Sequence, residues 1–178
     1  ERVGRRVAII GAGGIGFDVA ELLTHVGHPS LDRDAWCAEW GVDLAVTERG
    51  GIRPPERPET PRQVFLLQRK ASKPGKGLGK STGWVHRASL RHRGVEALAG
   101  CEYVGIDDAG LHIRHHEEPR LLEVDSVVVC AGQDPVRELL EPLREAGVAV
   151  HLIGGADEAA ELDAKRAIDQ GTRVAAGL

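Results

Sequence analysis

The 178-residue chain contains no methionine and only three cysteines, Cys37, Cys101 and Cys130. These lie far apart with no Cys-x-x-Cys pair, which argues against a disulfide framework or a thiolate metal site and leaves buried, reduced thiols as the reading. Aromatics are scarce, with three Trp, one Tyr and two Phe. No apolar run is long enough to span a bilayer, and the polar stretch Glu1 to Arg6 leads straight into a short strand. Neither a membrane segment nor a secretory leader is therefore expected, and the placement expected is cytoplasmic. The missing methionine, with a start almost inside the first strand, leads us to expect an excised piece of a longer protein. A hydrophobic share of 42% is enough for the core of one domain or slightly more.

A further absence is local. From Thr60 to Val95 there is no acidic residue, while Arg62, Arg69, Lys70, Lys73, Lys76, Lys80, Arg87, Arg91 and Arg93 supply nine positive charges. The other fourteen basic residues share the rest of the chain with all 27 acidic ones, so the basic character is confined to this stretch. Only Phe65 and Trp84 accompany it, a poor provision for stacking nucleic-acid bases, and no nucleic-acid partner is expected.

What is present begins with Arg6-Val7-Ala8-Ile9-Ile10-Gly11-Ala12-Gly13-Gly14-Ile15-Gly16-Phe17-Asp18. An apolar strand, a Gly-x-Gly-x-x-Gly turn and a helical pattern from about Gly14 to His25 make up a dinucleotide fingerprint. Gly11 allows the tight turn, Gly13 leaves room for a pyrophosphate, and Gly16 lets helix and strand approach. The alternative is a glycine-rich turn with no ligand. The next strand, Gln63 to Gln68, comes late and ends in Arg69-Lys70 rather than the acidic residue that would hold ribose hydroxyls. Cations there suit the 2′-phosphate of NADP; a solvated basic loop remains the alternative. Pro74 to Ser81 imitates a phosphate-binding P-loop, but Pro74 stands where its first glycine belongs, and we read it as a flexible basic lid.

Residues 27 to 62 read as irregular, with Trp36 and Trp40 spaced to share a helical face. A helix is expected over residues 82 to 93. Short strands follow at Val95–Leu98, Glu102–Ile106, Leu111–Arg114 and Leu121–Val124, then a buried parallel strand over Ser126–Ala131 ending at Gly132. His115-His116 reads as a surface turn, and Asp18 as a carboxylate in the first helical turn, favoured by the helix dipole. The expected fold class is α/β: a Rossmann-like dinucleotide-binding domain over residues 1–130 with a parallel sheet and a short antiparallel meander, followed by a second portion over 131–178.

The fingerprint, the run Leu67-Gln68-Arg69-Lys70-Ala71-Ser72-Lys73-Pro74-Gly75-x-Gly77-Leu78-Gly79-Lys80, and Thr82-Gly83-Trp84-x-His86-Arg87 resemble the NADPH-dependent bacterial 2,4-dienoyl-CoA reductases. The similarity continues through Cys130-Ala131-Gly132-Gln133-x-Pro135, His151 to Gly155 and Glu161 to Arg173, departing at Val136, where relatives commonly carry Asn. The resemblance implies an NADPH domain inserted in an FAD domain, with residues 131–178 the returning C-terminal portion of the latter. It also implies a parent chain whose remainder holds FMN in a barrel, a 4Fe-4S cluster and the first half of the FAD site. It assigns Gly11, Gly13, Gly14, Gly16, Arg69, Lys70 and Lys73 to NADPH, and Gly132, Gly155, Ala156, Asp163 and Ala164 to cofactor contact, chiefly FAD. Read without the resemblance, Ile153 to Asp157 and the helix after it form a plain strand-turn-helix. The expected partners are NADPH, FAD and the rest of the parent chain, with self-association through apolar faces around Leu139, Leu140, Ile153, Ile168 and Val174.

Overall fold

The computed structural model describes residues 3–27, 31–159 and 164–178. The chain divides into two compact units, Glu1–Ala131 and Gly132–Leu178, each considered by itself.

The first unit runs β1 (Arg6–Ile10), α1 (Gly14–Thr24), α2 (Arg33–Trp40), β2 (Gln63–Leu67), α3 (Gly83–His92), β3 (Glu96–Leu98), β4 (Cys101–Asp107), β5 (Gly110–His115), β6 (Glu118–Leu122) and β7 (Ser126–Val129). Strands β3-β2-β1-β7 form a parallel sheet in that order, and β4-β5-β6 an antiparallel one. Because side chains alternate along a strand, Val7, Ile9, Val64 and Leu66 face α1 and α3, where they meet Phe17, Ala20, Leu23 and Leu90. The intervening Ala8, Phe65 and Leu67 face the meander and meet Cys101, Leu111, Ile113 and Leu122. This is why β1 and β2 read as unbroken apolar runs: both faces are covered. Each Val, Leu, Ile and Phe among them contributes roughly 1.5–3 kcal/mol by leaving water.

Several boundaries differ from those expected. The last meander strand begins at Glu118, four residues after Arg114, because His116 and Glu117 turn the chain with φ of 52° and 68°. Pro119 therefore lies within β6, which among the described residues pairs only with β5, a position where a missing N–H is tolerated. β7 is shorter than expected and half-exposed, with Val129 at 68%, because it is an edge of the parallel sheet among the described residues. Asp18 falls in the second turn of α1 and is exposed. Trp36 and Trp40 do lie on one helix, yet Trp36 is exposed while Trp40 stacks on His92 at 5.1 Å between ring centroids.

The excursion between α1 and β2 is fastened to the core. Asp32 caps α2 through the amides of Asp34 and Ala35. At its other end Glu39 accepts a 2.8 Å bond from the buried guanidinium of Arg93, which also reaches the carbonyl of Thr24 at 3.4 Å. Arg62 donates to the carbonyl of Gly4 at 3.1 Å. Between these points Val42 bridges Ile52, and Asp43 accepts from Thr47 Oγ1 at 2.7 Å and the amide of Glu48 at 2.9 Å. Those bonds bring the Asp43 carboxyl down to about 2.

The second unit contains α4 (Leu140–Glu145), a 3₁₀ turn at Gly154–Ala156 and α5 (Ala164–Ala176). No strand occurs among its described residues, so the stretch before Gly154 is extended backbone without a ladder. None of the described helices is long and apolar enough to cross a membrane.

Candidate dinucleotide site

Loops leaving the carboxyl ends of parallel strands are where α/β sheets gather ligands. The turn after β1 starts with Gly11, whose amide donates to the carbonyl of Leu67 at 2.8 Å and whose φ is 117°. A Cβ at Gly11 would lie 2.6 Å from the carbonyl oxygen of Cys130, and one at Gly16 only 1.8 Å from that of Gly11. These two glycines are required by the protein's own packing. Gly13 and Gly14 differ: a Cβ at either would meet nothing within 4 Å, and Gly13 has an ordinary φ of −88°. The first helical bond runs from the amide of Phe17 to the carbonyl of Gly13 at 3.1 Å. The amides of Gly14, Ile15 and Gly16 thus have no partner within the helix and face outward at its positive end.

The turn after β2 carries Arg69, Lys70 and Lys73, all exposed, and none takes part in an ion pair among the described residues. Their loop is braced from several sides. Gln68 Nε2 donates to the carbonyl of Lys70 at 2.9 Å and to that of Ser72, and the amide of Gly100 donates to Lys70 at 3.1 Å. The expected flexible lid is in fact tied down. The amide of Gly75 donates to the carbonyl of Ala12 in the glycine turn at 3.1 Å, and Arg87 Nη1 donates to the carbonyl of Gly75 at 3.0 Å. Gly75 has a φ of 72°, and a Cβ there would sit 2.7 Å from the Phe17 ring. Beneath this loop a cavity of about 470 Å³ opens, floored by Phe17, Leu66 and Leu90 and rimmed by Lys73, Arg87 and Arg91.

The structure therefore brings the glycine turn and the cationic loop into direct contact. Gly75, which makes that contact, and Gln68, which braces the loop from within, carry no assignment from the sequence. A glycine inside a loop gives a hint of positive φ, but nothing in the sequence signals which carbonyls a glutamine will reach.

In the second unit Gly132 has a φ of 85° and open space at its Cα, Gly155 and Ala156 are half-buried, and Ala164 is exposed as the first described residue of α5. Asp163 lies outside the described residues. The turn at Gly154 is held from within: its amide donates to Gln170 Oε1 at 2.7 Å, and Gln170 Nε2 donates to Asp157 Oδ2 at 2.8 Å. Arg137 donates to the carbonyls of Ala156, at 2.7 Å, and Asp157. The left-handed residue is Gly154, with φ 57° and Ala167 3.3 Å from where a Cβ would be.

Other reactive groups are quiet. Burial pushes the thiols of Cys101 and Cys130 up, keeping them protonated at neutral pH. Burial, then the neighbouring Cys101, raises the Tyr103 hydroxyl, with Arg69 acting in the opposite sense. His115 and His116 sit with their rings 4.1 Å apart at the β5–β6 turn.

Comparison with known proteins places this geometry. A curated relative, a metal reductase of Desulforamulus reducens, is 24% identical over 155 residues, which are 87% of this chain and 22% of that protein; the chain thus spans about a fifth of the relative's length. Among solved structures, a 2-naphthoyl-CoA reductase in complex with 2-naphthoyl-CoA superposes with a TM-score of 0.64 at 19% identity, covering 96% of this chain and 21% of that one. Histamine dehydrogenase from Rhizobium sp. 4-9 gives 0.62 at 16% identity, covering 97% and 23%. At such identities these likenesses speak for the fold. The family model for pyridine nucleotide-disulphide oxidoreductases matches residues 1–163, and the chain belongs to that family of FAD- and NAD(P)-binding oxidoreductases.

Proposed function

We propose that this chain is the NADPH-binding, electron-input part of a flavin and iron–sulfur 2,4-dienoyl-CoA reductase serving unsaturated fatty acid β-oxidation. The observation that carries the reading is the contact between an open glycine turn and a loop bearing three exposed, unpaired cations. The residues fit the nucleotide. Space at Gly13 and Gly14 admits a pyrophosphate against the outward amides of α1, and Arg69, Lys70 and Lys73 suit a 2′-phosphate, which NADH lacks. Bound NADPH supplies a hydride that FAD accepts. What this chain contributes is orientation and electrostatics: the glycine turn fixes the pyrophosphate, the cationic loop sets the register, and the turn at Gly154–Ala156 offers a preshaped backbone surface to FAD. Ala164, the first described residue of α5, together with Asp163 and Gly132, completes the FAD-side assignment. The acyl substrate, FMN and the 4Fe-4S cluster belong, on this proposal, to the remainder of the parent chain.

The acyl-CoA substrate is favoured by the Arg69–Lys80 and Thr82–Arg87 runs, and the complexed naphthoyl-CoA reductase shows one fold relative that takes a CoA thioester. The fold likeness to histamine dehydrogenase favours the second reading, a related enoate or amine oxidoreductase. Anaerobic stopped-flow on the intact gene product separates them. NADPH should bleach the flavin and a 2,4-dienoyl-CoA, as electron acceptor, should restore its colour; bleaching by an amine in place of NADPH, restoration only by a different enoate, or bleaching by NADH as fast as by NADPH, would overturn the proposal. A chain that binds NADPH but bleaches no flavin in its parent would be a non-catalytic NADP-binding module.

A further inference from the structure

We infer that Gln68 is a positioning residue that sets the preference for NADPH over NADH by holding the cationic loop in shape. The inference rests on reading that loop as the grip on the 2′-phosphate. Gln68 follows the last residue of β2, and its backbone is fixed on both sides: its amide donates to the carbonyl of Leu98 at 3.0 Å, and its carbonyl accepts from the amide of Cys101 at 3.0 Å. The side chain then turns back over the loop. Both hydrogens of its carboxamide are spent on main-chain carbonyls, those of Lys70, at 2.9 Å, and of Ser72. The chain from Arg69 to Ser72 is thus wrapped around one carboxamide anchored to the sheet.

The two bonds differ in consequence. The Lys70 carbonyl has a second donor in the amide of Gly100 at 3.1 Å, so that residue keeps an anchor if Gln68 is changed. Among the described residues Ser72 has no other hydrogen bond, and its neighbour Lys73 carries one of the three cations. Beyond Ser72 the Lys73 carbonyl accepts a local turn bond from the amide of Lys76 at 3.1 Å, and the first tie to another element is at Gly75, through Ala12 and Arg87. Without Gln68 the residues Ala71 and Ser72 would span freely between Lys70 and the turn that starts at Lys73. Holding flexible cationic side chains on a rigid backbone reduces the ordering cost when they close on an anion. That saving is realised only with a ligand bearing the extra phosphate.

Titration of the full chain with NADPH and with NADH, for wild type and Gln68→Met, tests this. The substitution preserves bulk and removes both donors. The NADPH-to-NADH preference should fall by about tenfold, the equivalent of one or two net hydrogen bonds, while NADH affinity changes less than about twofold. Amide exchange should quicken at Gly75 and Lys76, whose amides donate to the carbonyls of Ala12 and Lys73. A wild type that prefers NADPH and a Gln68→Met variant that prefers it equally would overturn the role of Gln68 alone; a wild type with no preference would overturn the reading of the loop as well. Should Gln68→Met fail to fold, Gln68→Asn decides the matter, since its shorter arm keeps the amide but cannot reach both carbonyls. It should lose part of the preference, and an undiminished preference would refute the inference.

Discussion

Gly13 and Gly16 stand three residues apart in one motif, yet substitution should harm them in opposite ways. At Gly16 a methyl group would be driven to 1.8 Å from the Gly11 carbonyl oxygen, where contacts below about 3 Å require something to move. The obstacle is backbone, so α1 must lift from β1 by an ångström or more, opening the layer formed by Phe17, Ala20 and Leu23. Overpacking of this kind costs about 1–3 kcal/mol, which lowers the melting temperature of a domain this size by ~2–4 °C per kcal/mol. Gly16→Ala should therefore be recognisably less stable by thermal or guanidinium denaturation. At Gly13 a side chain meets nothing within 4 Å, and φ is −88°, so Gly13→Val costs only a few tenths to about 1 kcal/mol as a poorer helix N-cap. It should nevertheless abolish NADPH binding, because the isopropyl group occupies the space a pyrophosphate needs. Paired denaturation curves and NADPH titrations check both. A Gly13→Val chain that binds NADPH normally, or a Gly16→Ala chain as stable as wild type, would refute the division between ligand-driven and packing-driven glycines.

Arg69→Ala removes a charge-assisted contact worth about 1.5–3 kcal/mol, so calorimetry should show NADPH weakened by roughly ten- to a hundredfold with NADH nearly unchanged. Glu39→Gln leaves the Arg93 guanidinium buried without its charge partner and should cost about 3–5 kcal/mol in guanidinium denaturation; a loss below about 1 kcal/mol would mean water reaches that pair. The Asp43 carboxyl, at about 2 in the folded chain against an ordinary 3.8, contributes stability that is complete above its ordinary value and disappears as pH falls through about 2. Asp43→Asn should accordingly flatten the dependence of stability on pH between those values, as measured by urea denaturation across an acid series.

The parts of this protein that the sequence exposes are those set by local chemistry. The Gly11–Gly16 turn, the apolar runs of β1 and β2 and the α3 segment each carry their own periodicity or punctuation. What escaped was decided by distant partners. β6 includes Pro119 because a left-handed turn at His116 and Glu117, two residues with no glycine to announce them, is so short that β6 starts at Glu118, three residues before the strand expected from Leu121. The lid of residues 74–81 looked mobile because its composition is glycine and lysine. Its tethers, the Ala12 carbonyl and the Arg87 guanidinium, come from elements on either side in the chain. Trp40 found its partner in His92 across the fold, not in Trp36 beside it.

The clamp made by Glu39 and Arg93, with Arg62 on the carbonyl of Gly4, bears on how this chain could have grown. It pins the start and the finish of the excursion that separates the fingerprint helix from β2, so the stretch between is a loop closed at both ends. The entropy of closing such a loop rises only with the logarithm of its length, about 0.6 kcal/mol for each doubling. Insertions at the exposed, unbonded positions of that loop therefore cost little closure entropy, and the Arg62 anchor on Gly4 keeps β2 in register beside β1. The usual spacing between a glycine turn and the residue that reads the ribose can therefore be stretched over evolutionary time without the nucleotide encountering a different surface.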